Sequence, residues 1–150
     1  MNKYTSIKPV LSDPYPAMPL PLWNNRTVEI GITVKDDYMV NANSIQYRID
    51  ANGNGIYDST EVWNNVSGYS DSDSILVRTN VTYNADGDSL RYEFRAQDTF
   101  GSGYAYSGLD KTEGIEDDYI VRIDTTEPTV INDLYLEGLS ENSIALSWTP

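Results

Sequence analysis

Arg26-Thr27-Val28-Glu29-Ile30-Gly31-Ile32-Thr33-Val34-Lys35 carries an apolar β-branched side chain at every second position from Val28 to Val34. A strand turns successive side chains to opposite faces, so Val28, Ile30, Ile32 and Val34 share one buried face and the residues between them look outward. The Asp36-Asp37 doublet is the expected end of that strand. The same period returns in Ser44–Asp50, with Ile45, Tyr47 and Ile49 on one face, and in Ile75–Tyr83, where Ile75, Val77, Val81 and Tyr83 align. It returns again in Leu90, Tyr92, Phe94 and Ala96, and in Tyr119, Val121 and Ile123. Turn-forming sequences separate these runs at Ser70–Ser74, Asp86-Gly87-Asp88 and Asp98–Gly103. Five of the seven prolines fall between residues 9 and 21. Their fixed φ and missing amide hydrogens suit an extended lead-in, with a short edge strand at Ile7–Leu11. No useful length shows the helical period, and closely spaced strands with turn chemistry between them predict an all-β antiparallel sandwich.

The chain has 150 residues, 10 basic and 23 acidic, for a formal net charge of −13, with neither Cys nor His. That length suits one domain of ordinary size and a fragment of a second. Without His there is no Ser-His-Asp triad and no imidazole proton shuttle. Without Cys and His there is no ordinary zinc site, iron–sulfur cluster or disulfide framework. The acidity opposes sequence-independent binding of nucleic acid, which needs a basic surface. No apolar run approaches about 18 residues, so no membrane insertion by a spanning helix is expected. The N-terminal residues lack the apolar core of a signal peptide. Only four Lys among so many acids also fits adaptation to high salt.

The most specific motif is Asp50-Ala-Asn52-Gly-Asn54-Gly55-Ile56-Tyr-Asp58-Ser-Thr-Glu61. Laid on the twelve-residue calcium loop, every expected position is filled. Asp50, Asn52 and Asn54 stand at positions 1, 3 and 5, and Gly55 supplies the sharp turn at 6. Ile56 offers its backbone carbonyl at 7, Asp58 stands at 9, and Glu61 at 12 can bind through both oxygens. Calcium is a hard cation that takes six to eight oxygens in a flexible cage, whereas magnesium demands stricter octahedral geometry. The flanks are strands, so this would be the calcium loop of an EF-hand without its helix pair, with affinity on the order of 0.1–1 mM. A polar hairpin is the competing reading, because Asn-Gly occurs twice here and is a strong turn signal. That reading leaves the acids at positions 1, 9 and 12 unexplained.

Three stretches resemble the immunoglobulin-like modules of bacterial and archaeal cell-surface proteins. Asp37–Ile49 looks like the loop and strand that follow the second strand of such modules. Asp88-Ser-Leu-Arg-Tyr92-Glu-Phe94 resembles the signature of their strand F, with Phe94 where a Cys would stand. The likeness implies a corner tyrosine at Tyr92 with Asp88 as its local hydrogen-bonding partner. Val121–Val130 resembles a junction between tandem modules, and Asn132–Pro150 is similar to the first two strands of a fibronectin type III domain, Trp148 being its buried Trp. The resemblance implies a Pro-rich lead-in at 1–24, an immunoglobulin-like sandwich at 25–125 that begins as early as about residue 5, and a linker with a truncated fibronectin type III start at 126–150. It also implies a non-enzymatic structural or adhesive module at the cell surface or outside the cell. Partners would be neighbouring domains of the same chain, surface glycans or other copies of itself. A carbohydrate-binding appendage of a secreted hydrolase and a self-assembling sheath or filament subunit are the alternatives.

Smaller signals fit around this reading. Asn25, Asn65 and Asn80 each begin an Asn-x-Ser/Thr triplet, a glycosylation acceptor in a permissive compartment. Tyr104 and Tyr106 could stack on a sugar, although strand tyrosines are ordinarily half-buried packing residues. Asp36, Asp37 and Asp98 are expected to gather at one pole, and Asp86, Asp88, Asp124 and Glu127 at the other beside the calcium loop. There a bound ion would stiffen the junction to the next module. Turn and strand-end roles for Asp86, Asp88 and Asp124, and ordinary solvated loop acids for Asp36, Asp37 and Asp98, are the simpler readings. Glu116-Asp117-Asp118 lacks the sugar cleft a glycosidase pair requires and reads as a solvated charge run.

Overall fold

A computed structural model of the chain describes residues 7–17, 22–23, 27–83, 89–108, 111–114, 118–123, 133–140 and 142–148. Strands follow in the order β1 (Val10–Tyr15), β2 (Leu22–Trp23), β3 (Thr27–Val40), β4 (Gln46–Asp50), β5 (Asn64–Asn65), β6 (Ser72–Thr82), β7 (Ser89–Ala96), β8 (Ala105–Tyr106), β9 (Tyr119–Ile123), β10 (Tyr135–Ser140) and β11 (Ser143–Ser147). One sheet has the order β1-β3-β6 and a second the order β2-β9-β7-β4-β5, with β8 beside β7. The pairings are antiparallel except β2 with β9, which is parallel. The chain is all-β and sandwich-like, as its period-two pattern predicts.

The two sheets share one core. Val28, Ile30, Ile32 and Val34 of β3 are fully buried, with Leu11, Ile75, Val77 and Val81 on the flanking strands. Leu90, Tyr92, Phe94 and Ala96 of β7 answer them from the second sheet, beside Val121 and Ile123. Tyr92 meets Phe94 edge-on at 5.9 Å between ring centroids, a favoured geometry for aromatic quadrupoles. Its hydroxyl donates to the backbone carbonyl of Tyr15 at 3.0 Å. The bond therefore runs to the first sheet; Asp88, the local partner implied at strand F, lies outside the described residues.

Three elements have bounds that differ from expectation. The Asp36-Asp37 doublet does not end β3: the strand runs on to Val40, with a register shift between Lys35 and Val40 that accommodates the acids. Beyond the shift the chain joins the other sheet, through a bridge from Val40 to Asp98 and hydrogen bonds from Asn41 to Gln97 and from Thr99 to Met39. Ser72 to Ser74 belong to β6 because they continue its ladder with β3. The edge strand begins at Val10, later than Ile7, and reaches Tyr15.

The open edges of the first sheet are blunted. Pro14 removes a donor from β1, and on β6 the Tyr69 hydroxyl accepts the Arg78 N–H at 2.8 Å and donates to the Arg78 carbonyl at 3.2 Å. β10 and β11 form a separate hairpin on which Tyr135, Leu136, Ile144 and Leu146, with Trp148 just beyond, are all more than half exposed. Trp148, at the position implied for a fibronectin-type buried Trp, is about half exposed in this hairpin.

Gly31 fills a structural need in β3. The Arg78 side chain crosses it to bring its guanidinium carbon 4.3 Å from the Tyr15 ring centroid, linking all three strands of the sheet. A Cβ at residue 31 would lie 2.8 Å from Arg78 Cδ and would also press on the Val77 carbonyl. Gly31→Ala is therefore expected to lower the unfolding free energy by about 1–3 kcal/mol in urea denaturation. Gly138→Ala, whose Cβ would meet nothing, should stay within about 0.5 kcal/mol.

Candidate metal centre

The loop from Asp50 to Glu61 leaves the second sheet at the end of β4. Its two terminal carboxylates are buried, Asp50 with 1% and Glu61 with 9% of its surface exposed. Asp50 Oδ1 accepts the Asn54 N–H at 3.2 Å and Oδ2 the Gly55 N–H at 2.8 Å. Glu61 Oε1 accepts from Ala51 and Asn52, and Oε2 from Asp58. The two acids thereby hold the loop closed from opposite ends. Gly55, at φ +83°, makes the turn where a Cβ would be strained. Asn52 and Asn54 each accept an N–H from two residues on, the Asx-turn geometry that tightens the middle of the loop.

Every donor a cation would find here is oxygen. The Asn52 and Asn54 carbonyls retain a second lone pair beyond their turn bonds. Ile56 is exposed. Asp58 is turned elsewhere: its Oδ1 takes the Thr60 hydroxyl and N–H, and its Oδ2 takes Asn52 Nδ2 at 2.8 Å. The Thr60 hydroxyl, followed by its N–H, holds the Asp58 carboxyl below its ordinary pKa, so it stays ionised. Among the described residues no three His, Cys, Asp or Glu side chains gather as a metal-holding group. Asp50, Asp58 and Glu61 are thus not drawn into one carboxylate cluster, and the site depends on the amide and carbonyl oxygens as well. Among the described residues no Lys or Arg forms an ion pair with any of the three.

Beneath the loop lies a layer that period-two reading misses. The outward face of β4 and β7 carries Arg48, Glu93 and Arg95. Glu93 is fully buried and accepts from Arg48 Nε at 2.9 Å and Nη2 at 2.8 Å, with the Gly114 N–H on its other oxygen. The Arg48 guanidinium is sandwiched between Tyr57, at 4.1 Å, and Trp63, at 4.4 Å. Arg95 continues the stack between Trp63, at 4.3 Å, and Tyr104, at 4.0 Å. Tyr57 is the loop's anchor in this stack, and its hydroxyl donates to Asp118. Burial, reinforced by Asp118, pushes the Tyr57 phenol far above its ordinary pKa, so the donor keeps its proton. The signal available in the sequence was two arginines and a Glu on outward positions of neighbouring strands, with Tyr57 and Trp63 close behind.

The remaining candidates are dispersed. Asp36 and Asp98 are close enough to feel each other's charge; burial first, then Asp37 and Asp98, raise the Asp36 carboxyl, opposed by the Tyr38 N–H. Asp98 itself is buried and accepts from Phe100 and Ser102, as the end of a turn. Asn65 and Asn80 are exposed, and Asn65 Oδ1 accepts from Gln46. Asn25, Asp86, Asp124, Glu127, Glu116 and Asp117 lie outside the described residues. Tyr104 and Tyr106 are half-buried and tilted 45° from each other, so no single flat ring stacks on both at once. Compared with family models, curated proteins and solved structures, the chain matches none.

Burial pushes the Glu93 carboxyl from 4.5 up to about 7, against the opposing pull of Arg48. An acid raised on folding holds its proton more tightly folded than unfolded. Its stabilising contribution is complete below about pH 4.5 and is lost as pH rises through 7. Unfolding free energy measured in urea should therefore decline between about pH 5 and 7. Glu93→Gln should flatten that decline, and an unchanged slope in the variant would refute the assignment.

Proposed function

We propose that this chain is a non-enzymatic, calcium-stabilised structural or adhesive module of a multidomain extracellular or cell-surface protein. Its body, about residues 25–125 with the sandwich beginning as early as about residue 5, is read as immunoglobulin-like, and residues 126–150 as a linker and the start of a fibronectin-type unit. The order β1-β3-β6 against β9-β7-β4 supports the first part, because these strands follow the order A-B-E and G-F-C of immunoglobulin sheets. The blunted edges of β1 and β6 weigh for a module over a self-pairing filament subunit.

One observation carries the calcium reading. Two buried carboxylates, Asp50 and Glu61, close a single loop and receive only N–H donors, in a chain of net charge −13. Asp50, Asn52, Asn54, Asp58 and Glu61 would hold the ion through side-chain oxygens, and Ile56 through its carbonyl. A bound ion would neutralise the buried acids and fix a loop that is otherwise expensive in conformational entropy.

Thermal unfolding with about 10 mM calcium against chelator, at matched ionic strength, tests the reading. With a dissociation constant of about 0.1–1 mM, mass action adds roughly 1.4–2.7 kcal/mol, a midpoint rise of roughly 3–10 °C. Glu61→Gln should abolish the rise. A wild type that does not respond, or a variant that responds equally, would reduce the loop to a hairpin turn.

A further inference from the structure

A groove of about 470 Å³ opens where β1 of the first sheet passes β8 of the second. Leu11 and Ala105 give it an apolar lining, and Tyr104 and Tyr106 line it as well. The volume falls within the range of small-molecule sites. Its charge is out of character with the molecule. Lys8 and Lys111 both line it, although the chain has only four Lys. Neither ammonium is in an ion pair among the described residues. Lys111 is held in place: its backbone has φ +61°, and its ammonium donates to the Leu11 carbonyl, leaving two further donors. Glu113 is the acid at the rim, and it is already engaged by the Tyr106 hydroxyl at 3.2 Å and by Arg48 at 3.7 Å.

The tyrosines are fixed from behind. Arg95 stacks on Tyr104, and Trp63 lies 6.2 Å from Tyr106. Two tilted rings and two ammonium groups lining one groove suit a ligand with an apolar ring face and an anionic group. Charge complementarity selects it, since an anion approaching an otherwise acidic surface finds its attraction here. We infer that the groove between β1 and β8 binds a carboxylate-bearing oligosaccharide, its acid groups received by Lys8 and Lys111 and its sugar rings laid against Tyr104 and Tyr106 in turn.

Titration in calcium-free buffer tests this independently of the metal loop. The probes are trigalacturonate, the neutral galactotriose and acetate, followed by calorimetry and by backbone amide shifts. Trigalacturonate should saturate with a dissociation constant in the millimolar range or below, moving amides of Val10, Ala105 and Thr112. The double variant Lys8→Gln/Lys111→Gln, with its melting temperature checked, should bind at least tenfold more weakly. Equal affinity for galactotriose or for acetate would overturn the inference. So would undiminished binding by a folded double variant, or no saturation of the wild type.

Discussion

The buried pair of Arg48 and Glu93 governs how the second sheet is covered. Both residues sit on the outward face of β4 and β7, where an antiparallel sheet commonly meets water. Glu93 has no exposed surface, and a buried carboxylate without a cation is strongly destabilising. Arg48 meets that demand in the plane of its guanidinium and leaves its two faces to be covered. Tyr57 and Trp63 cover them, at distances where a ring's negative face attracts the cation. Because Tyr57 is part of the Asp50–Glu61 loop, the ion pair also fixes where that loop lies.

The loop itself has little apolar material with which to offset its ordering. Ile56 is exposed, and apart from Tyr57 the loop is held by Asx turns, the Asp58 hydrogen bonds and two buried carboxylates that collect backbone N–H groups. Such a loop is held by electrostatics, and an ion added to it acts on the same groups. From Tyr57 the stack proceeds through Trp63 and Arg95 to Tyr104, which borders the groove at β8. Loop, stack and groove are thus consecutive parts of one outer layer.

The inward half of this design was legible in the sequence because burial follows the period of two. Val28, Ile30, Ile32, Val34, Leu90, Tyr92 and Phe94 are all in the core as their spacing requires. The outward half was not. Arg48, Glu93 and Arg95 have the composition of a solvated face, and nothing in strand alternation tells which distant segment folds over them. The Tyr92 hydroxyl illustrates the same limit, since its partner Tyr15 is 77 residues away. The acids at 36 and 37 read as a strand end because a doublet of like charges commonly is one. Here a register shift absorbs them and the strand continues. The loop's proposed ligand positions were visible as a spacing, but the turning of Asp58 toward Thr60 and Asn52 depends on side-chain geometry that spacing does not contain.

The most direct test of this account is a crystal structure of the chain grown in calcium chloride, with anomalous scattering collected to identify the ion. The account predicts one calcium inside the loop, within about 2.3–2.6 Å of oxygens from Asp50, Asn52, Asn54, Ile56 and Glu61, with Asp58 binding directly or through a water. A loop that keeps the same carboxylate-to-backbone hydrogen bonds and holds only water at that concentration would contradict it.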